Sequence, residues 1–545
     1  MISGKSVSVL ISALQQELER NITKLRSPGH PRPYFISYLL RDTQSHEVWA
    51  RYGSVASRKT EQKRQCYADV RVGSYRYDQV TGGGLDDNSE EVESFDLLDM
   101  PIDNNTDALR FCLWRLTDAK YREAVKSYHR RKARDVSYLD ENKKLPSLLP
   151  TNGTKKKCPV RAYEIEEEEV RRTVSKLSMV FKNEANIKNS YVEFRSDIET
   201  KVFVSSEGCE HVWQVPIFSY TIYLWYLSKS YNQDFSLHYS ASSMDDLPSL
   251  SQMKKIAVDR IALIKEIEKG VSMTSYAGPV LLAPKPAGLF VHEVLGHRLE
   301  GSRLLSESEG RTFKGKEGQR VMTERLSVMD DPSLKKFNNI SLVGSFDFDD
   351  EGCAPKPAVL IDRGHLKGFL STRSPYKAKG FTANGHARNQ GYERPISRMG
   401  NLIVKPHDGL SWDKLKAQLI VEIKRRDLPF GLILYEVEGG ETGTETYNFQ
   451  AFLGEITVAS KIYPNGREQY IRGVDFVGTP LSSLNTILEV GDEQEVDNGY
   501  CGAESGTVPV STISPGLLLA NLELQSKDPT KVTQYRLPLP WMDSK

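Results

Sequence analysis

His292, Glu293 and His297 fall together in GLFVHEVLGHRLEG, residues 288–301, and set two imidazoles and a carboxylate in an otherwise apolar run. That combination is what a zinc hydrolase requires: ring nitrogens to ligate the ion, and a carboxylate between them to take a proton from the attacking water. The spacing is HExxxH, one residue longer than HExxH. In a regular α-helix, residues five apart differ by roughly 140° in direction, so the two rings would not share a face. A π-type widening or a local unwinding closes that gap, and such irregularities cluster at functional sites. Gly296, just before His297, eases the distortion. An irregular helix is therefore predicted here. The competing reading is a pair of buried, hydrogen-bonded histidines on a core helix.

Catalytic zinc usually has three protein ligands plus water, so a third donor must come from elsewhere. Glu300, Cys353, His365, His386 and Cys501 are the candidates, and spacing does not choose among them. Cys501 lies in NGYCGAESGTVPVS, a Gly-rich turn-like stretch that lets a backbone approach closely, which favours it mildly. Against that stands the usual fate of a free cysteine, a small buried hydrophobe.

The elements that must hold these residues divide near residue 273. From 1 to 273 the pattern is an α/β domain. An amphipathic helix carries Val7, Leu10, Ile11, Leu14, Leu18, Ile22 and Leu25, a stripe too long for a signal peptide. Strands are expected at Tyr34–Arg41, Glu47–Val55 and Gln65–Gly73, a helix from Thr106 to about Lys126, and a basic, exposed excursion over about 129–158. A helix over Glu164–Asn189, strands at Tyr191–Phe203, Val212–Trp225 and Phe235–Ser240, and a helix from Ser251 to Lys269 complete it. From 274 to 545 the chain reads as mostly β with few helices, one of them the HExxxH helix. Its strands are expected at Ile340–Phe348, Ala358–Ile361, Gly431–Val437, Phe449–Ile462 and Leu517–Leu524, and the acidic Asp347–Glu351 reads as a strand end. The class is α+β.

Composition narrows the function. A chain of 545 residues implies about two to four domains. Lys+Arg 73 against Asp+Glu 72 leaves a net charge of +1, so no global field favours nucleic acid or an anionic membrane. No apolar run reaches the roughly eighteen residues of a membrane span. Six cysteines without a CxxC pair fit a reducing compartment, and a cytoplasmic location is expected.

Beyond the hexapeptide, an ordered series of segments is distinctive: HEVLGHRLEG, FDDEG, IDRGHLKGFLSTRS, NGHARNQGYERPISRMGN, PFGLILYEVEGGET, KIYPNGRE and GYCGAESGTVPVSTISPGLLLANLEL. Over roughly residues 276–524 it resembles the TldD/PmbA family of metallopeptidases. The N-terminal half resembles that family in layout only. The resemblance implies an α/β domain followed by a largely β domain that holds zinc, with a late cysteine, here Cys501, as the third ligand. It also implies a homodimer, or a heterodimer with a paralogue lacking the metal motif, closed around a cleft that takes small or unfolded peptides. This chain keeps both histidines and the glutamate, as the active subunit does.

On that basis His292, His297 and Cys501 are the expected Zn²⁺ ligands and Glu293 the general base. Glu300 is a candidate to orient a ligand, or else a salt-bridge partner of Arg298 or Arg303. His386, Arg388, Tyr392 and Arg394 are candidate donors to an oxyanion or a substrate carboxylate, each with a structural alternative. Two other functions compete: a non-catalytic peptide-binding subunit with structural zinc, which would have no need of Glu293, and a zinc amidase acting on modified peptides.

Overall fold

The computed structural model describes residues 4–86, 97–137, 144–446, 451–527, 535 and 537–542. The first half is built on one mostly antiparallel sheet. Its long strands β1 (Pro33–Arg51), β2 (Ser54–Val72), β4 (Ile187–Ser205) and β5 (Glu210–Leu227) run in the order β2-β1-β4-β5. β3 (Lys155–Lys157) joins β5 in parallel and β6 (Asn232–Ala241) pairs with β5 antiparallel.

Side-chain alternation gives this sheet two unlike faces. Ile36, Tyr38 and Leu40 of β1 and Val202 and Val204 of β4 pack under α1 (Gly4–Lys24) and α2 (Thr106–Ser137). Further along the same face, Val48, Ala50, Phe194 and Ile222 pack under α3 (Glu167–Ser178) and α4 (Leu250–Glu268). The intervening residues point the other way: Leu39, Phe203 and Trp213 meet Phe348 of the second half, and Arg41, Thr43 and Ser45 line an open groove.

That polar face explains where sequence reasoning failed in this half. The strands expected at Tyr34–Arg41 and Glu47–Val55 are not two strands. β1 is continuous, and the chain turns at Tyr52 (φ 46°) and Gly53 (φ 87°), the left-handed pair of a tight hairpin. Residues 42–46 and 57–64 are polar, most of them facing the groove or solvent and Asp42 and Arg64 buried as an ion pair, and that hid their strand character. The helix expected over Glu164–Asn189 stops at Ser178, gives one tighter turn at Met179–Phe181, and yields to β4 at Ile187.

The excursion expected at about 129–158 is largely exposed in its described parts, as expected, but it is not without structure. α2 runs on to Ser137, and Arg131 donates to the carbonyls of Asp78 and Val80. Leu148 is buried, the Leu149 amide donates to the Arg373 carbonyl, and Lys155–Lys157 add to the sheet. Residues 138–143 lie outside the described residues.

The second half is organised by a mixed sheet, twelve-stranded among the described residues. At its centre Gly506–Ser526 pairs with Ile487–Ala503 as a hairpin, with Ser275–Leu282 antiparallel, and with Asn401–Pro406 in parallel. Helix α5 (Pro284–Val291) packs on one face; α6 (Trp412–Arg425), which the sequence reading did not anticipate, buries Leu415, Leu419 and Ile423 on the other. Of the strand expected at Ile340–Phe348, only Ile340–Ser341 forms. Beyond it the Ser345 hydroxyl donates to the Leu334 and Leu342 carbonyls and turns the chain. Asp347–Glu351 is a buried loop and not a strand end, because the Asp349 carboxylate accepts from the amides of Glu351, Cys353 and Ala387. The strand expected from Phe449 begins, among the described residues, at Phe452. The mix of helix and strand is α+β. Among the described residues no helix is long and apolar enough to cross a membrane.

Candidate metal centre

Ala283 leads into α5, and Pro284 at its first turn supplies a preset φ without needing an amide bond. The apolar face Ala287, Phe290, Val291 buries the helix in the main core. At His292 the helix widens into a π turn, His292–Gly296, closed by the His297 amide donating to the His292 carbonyl. This irregularity solves the spacing problem. An i→i+5 bond stacks His297 over His292, and their ring centroids stand 5.0 Å apart, edge to face. Arg298 pins the turn, donating to the Glu293 carbonyl at 2.6 Å, to Thr442 Oγ1 at 2.8 Å and to the Gly443 carbonyl at 2.9 Å.

The third donor arrives from more than two hundred residues away. Cys501 is near the end of strand Ile487–Ala503, paired with Val508 across the hairpin, and so lies on a strand and not in the turn that its glycines suggested. Its Sγ is 3.3 Å from His292 Nε2 and 3.4 Å from His297 Nε2. All three residues are buried. Tetrahedral zinc with the usual Zn–N and Zn–S lengths separates nitrogen from sulfur by about 3.5 Å. The residues present fit the ion.

Electrostatics agree with the geometry. Burial pushes the Cys501 thiol up, but His297 and His292 outweigh it and hold the group well below its ordinary value. Burial depresses both imidazoles, and the Cys501 sulfur more than reverses this. His292 is raised, and His297, which also faces Glu300, is raised well above its usual range. A thiolate between two ring nitrogens is the pattern a divalent cation satisfies, with both rings neutral. Behind His297, Glu300 Oε1 stands 3.2 Å from Nδ1, without the alignment of a full hydrogen bond. Burial opposes the Glu300 charge, but His297 and Arg303 hold its carboxyl down to about 2. Glu293 is buried on the same turn, beside Gly440, where an added Cβ would come 3.2 Å from Glu293 Cγ.

The other sequence candidates are placed elsewhere. His386 is buried with Nε2 3.2 Å from Asp330 and Nδ1 2.9 Å from Asn384 Oδ1, so both ring nitrogens are engaged. Arg388 donates to the carbonyls of Met399 and Pro509. Tyr392 packs against the core of the first half, and Arg394 bonds Asp69 across the two halves. His365 turns to the Arg363 carbonyl, and Cys353 sits in the Asp349 loop. Sequence reasoning missed Arg398 and Glu504. Arg398 is fully buried and donates to the Cys501 carbonyl at 2.6 Å. The signal available was an arginine inside the compact PISRMGN segment.

A groove of about 640 Å³ separates the sheet of the first half from this hairpin. Arg41, Lys63 and Arg195 alternate with Glu61, Glu193 and Asp197 on its floor, and Tyr500, Thr507 and Pro509 form part of its wall.

Residues 273–526 match the PmbA/TldA metallopeptidase C-terminal domain. A metalloprotease of Archaeoglobus fulgidus is 32% identical over 265 residues, 48% of this chain and 56% of that protein. A zinc metalloprotease TldD homologue of Saccharolobus solfataricus is 29% identical over 258 residues, 47% of this chain and 53% of that protein. The chain thus spans about half the length of the curated relatives it matches. The solved structure of TldE from Thermococcus kodakarensis aligns with a TM-score of 0.60 at 15% identity, over 94% of this chain and 100% of that one, which shows a common fold. Residues 273–526 thus carry a domain of the TldD/PmbA metallopeptidase family.

Proposed function

We propose that this chain is a zinc-dependent peptidase that hydrolyses small or unfolded peptides. The observation that carries the proposal is the convergence of His292, His297 and Cys501 on one point beside the Glu293 carboxylate turn. Nε2 of each histidine and Sγ of Cys501 would hold the ion, and a thiolate in the set favours zinc over magnesium or calcium. Bound there, zinc supplies Lewis acidity toward water and the scissile carbonyl. Glu293 takes the proton of the attacking water and returns it to the leaving amine. Glu300 orients the His297 ring so that Nε2 faces the ion.

The groove on the other side of the hairpin, whose lining includes none of the metal donors, would hold a stretch of polypeptide away from the scissile bond. Its mixed floor of both charges favours neither acidic nor basic side chains, which suits recognition through the backbone. We further propose a dimer, of two copies or with a paralogue, enclosing the cleft, and a cytoplasmic site of action. All six cysteines are free thiols, in keeping with a reducing compartment. The test is Glu293→Gln beside the wild type in metal analysis and casein or peptide cleavage. Metal content should be unchanged and cleavage should fall by about 10²–10⁴-fold; equal cleavage would remove Glu293 from the mechanism.

A further inference from the structure

The metal donors come from two elements that share no local backbone: the π turn at His292–Gly296 and the hairpin strand ending at Ala503. Something must hold the hairpin tip against the turn. Two guanidiniums do so. Arg303 donates from Nε to Glu300 Oε2 at 2.8 Å and grips Glu504 at the hairpin tip with two bonds of 2.9 Å. Its remaining contacts are Glu309 at 3.0 Å and Thr444 at 2.9 Å. Arg398 donates to Ser505 Oγ at 3.0 Å, to the Gly506 carbonyl at 2.8 Å and to the Cys501 carbonyl at 2.6 Å, and its Nε lies 3.6 Å from Glu300 Oε1. Glu300, itself fully buried, thus touches His297 on one side and both arginines on the other.

We infer that Arg303, Arg398 and Glu504 are positioning residues for the Cys501 thiolate, coupling the hairpin tip through Glu300 to the ligand His297. This deepens the zinc-peptidase reading and rests on it. The physical reason is geometric. A planar guanidinium bonded in two directions fixes the distance between its partners, as a lysine would not. Without the grip of Arg303 on Glu504, the hairpin end is held by its β pairing, by Arg398 and by Gln390, which bonds the Ser505 carbonyl and the Thr507 amide, and its link through Glu300 to His297 is weakened. The sulfur can then drift from the ion while the histidines stay.

Glu504 offers the discriminating variant, because its side chain is 38% exposed whereas Arg303 is buried among carboxylates that its loss would leave unpaired. In the full-length Glu504→Ala protein, chelator competition should show cobalt(II) and zinc bound about 10–100-fold more weakly. The near-ultraviolet thiolate-to-cobalt charge-transfer band should weaken, while far-ultraviolet circular dichroism stays that of the wild type. Glu504→Gln, which can still accept one bond, should fall between. A Glu504→Ala protein with wild-type affinity and an unchanged band would overturn the positioning role and leave the metal site standing. A wild type lacking the thiolate band would overturn the metal reading itself, and the relay with it.

Discussion

Gly296→Ala is the most searching perturbation of the π turn. Gly296 has φ −53° and ψ −58°, ordinary right-handed values that alanine adopts freely. In backbone terms the substitution should help, by about 0.5–1 kcal/mol. Packing opposes it. An added Cβ would lie 2.3 Å from Met399 Sδ and 3.0 Å from its Cε, with Leu402 Cδ2 at 3.6 Å. Ordinary contacts need about 3.5–4.0 Å, so the sulfur of a fully buried methionine must retreat by more than about an ångström. Overpacking of this kind costs about 1–3 kcal/mol. Methionine's soft, unbranched chain argues for the middle of that range. The net is about 1–2 kcal/mol of destabilisation, or roughly 2–6 °C in melting temperature for a half of this size. Because His297 follows directly, its ring should move with the turn and zinc should bind more weakly in chelator competition.

The assay that isolates the cause is a double-mutant cycle with Met399→Ala. That change alone costs about 2–5 kcal/mol through the cavity it leaves. With Ala at 296, the new methyl occupies part of that space, so the pair should be more stable than the sum of the singles by about 1–2 kcal/mol. Strict additivity, or a Gly296→Ala protein more stable than the wild type, would refute the claim that Met399 dictates this glycine.

Two other perturbations probe different parts of the molecule. Asp350 joins the halves through Lys201 at 2.8 Å and Arg41 at 3.4 Å, and accepts from the Asn389 amide of its own half at 2.9 Å, so Asp350→Asn should cost about 3 kcal/mol at neutral pH. Burial opposes the Asp350 charge, but Lys201 and Arg41 hold its carboxyl below the usual value. Its contribution is therefore present above the unfolded pKa of about 4 and lost as pH falls through the lower folded one. Melting curves of wild type and variant should converge on acidification, and a gap constant with pH would exclude the ion pair as its cause. Peroxide should inactivate the enzyme with release of zinc, since oxidation of Cys501 removes a ligand; inactivation with all the zinc retained would point to another target.

The sequence was most readable where residue types were unusual for their surroundings. Two histidines and a glutamate inside GLFVHEVLGHRLEG identified the turn. The conflict between a five-residue spacing and a 3.6-residue repeat foretold its irregularity, which the π turn at His292–Gly296 supplies. The third donor was not readable from spacing: Glu300, Cys353, His365, His386 and Cys501 were equivalent on that ground, the Gly-rich setting of Cys501 favoured it only mildly, and the family resemblance singled it out. Partners such as Arg303–Glu504 and Arg398–Cys501 were beyond reach, because their separations of one to two hundred residues leave no periodic trace. In the first half, the middles of β1 and β2 hid as loops because a groove-facing strand surface stays polar. α6 went unread in a region taken as β.

Strand alternation makes the hairpin a wall with two jobs. Cys501 points inward, 3% exposed, to the histidines, whereas its neighbour Tyr500, 51% exposed, points outward into the groove. Successive side chains on a strand must face opposite ways, so the same few residues would serve both the proposed metal and, on the other face, the cavity proposed to take the peptide. A slip of one residue in the pairing of Cys501 with Val508 would exchange them, setting a phenol against the imidazoles and the thiol in the groove. Register in this hairpin is therefore a chemical variable. Backbone hydrogen bonds alone specify it weakly near a free tip, where fraying is least costly. The arginines that seize Glu504, Ser505 and the carbonyls of Cys501 and Gly506 act where that weakness lies, which is why the chain commits two buried cations to the turn.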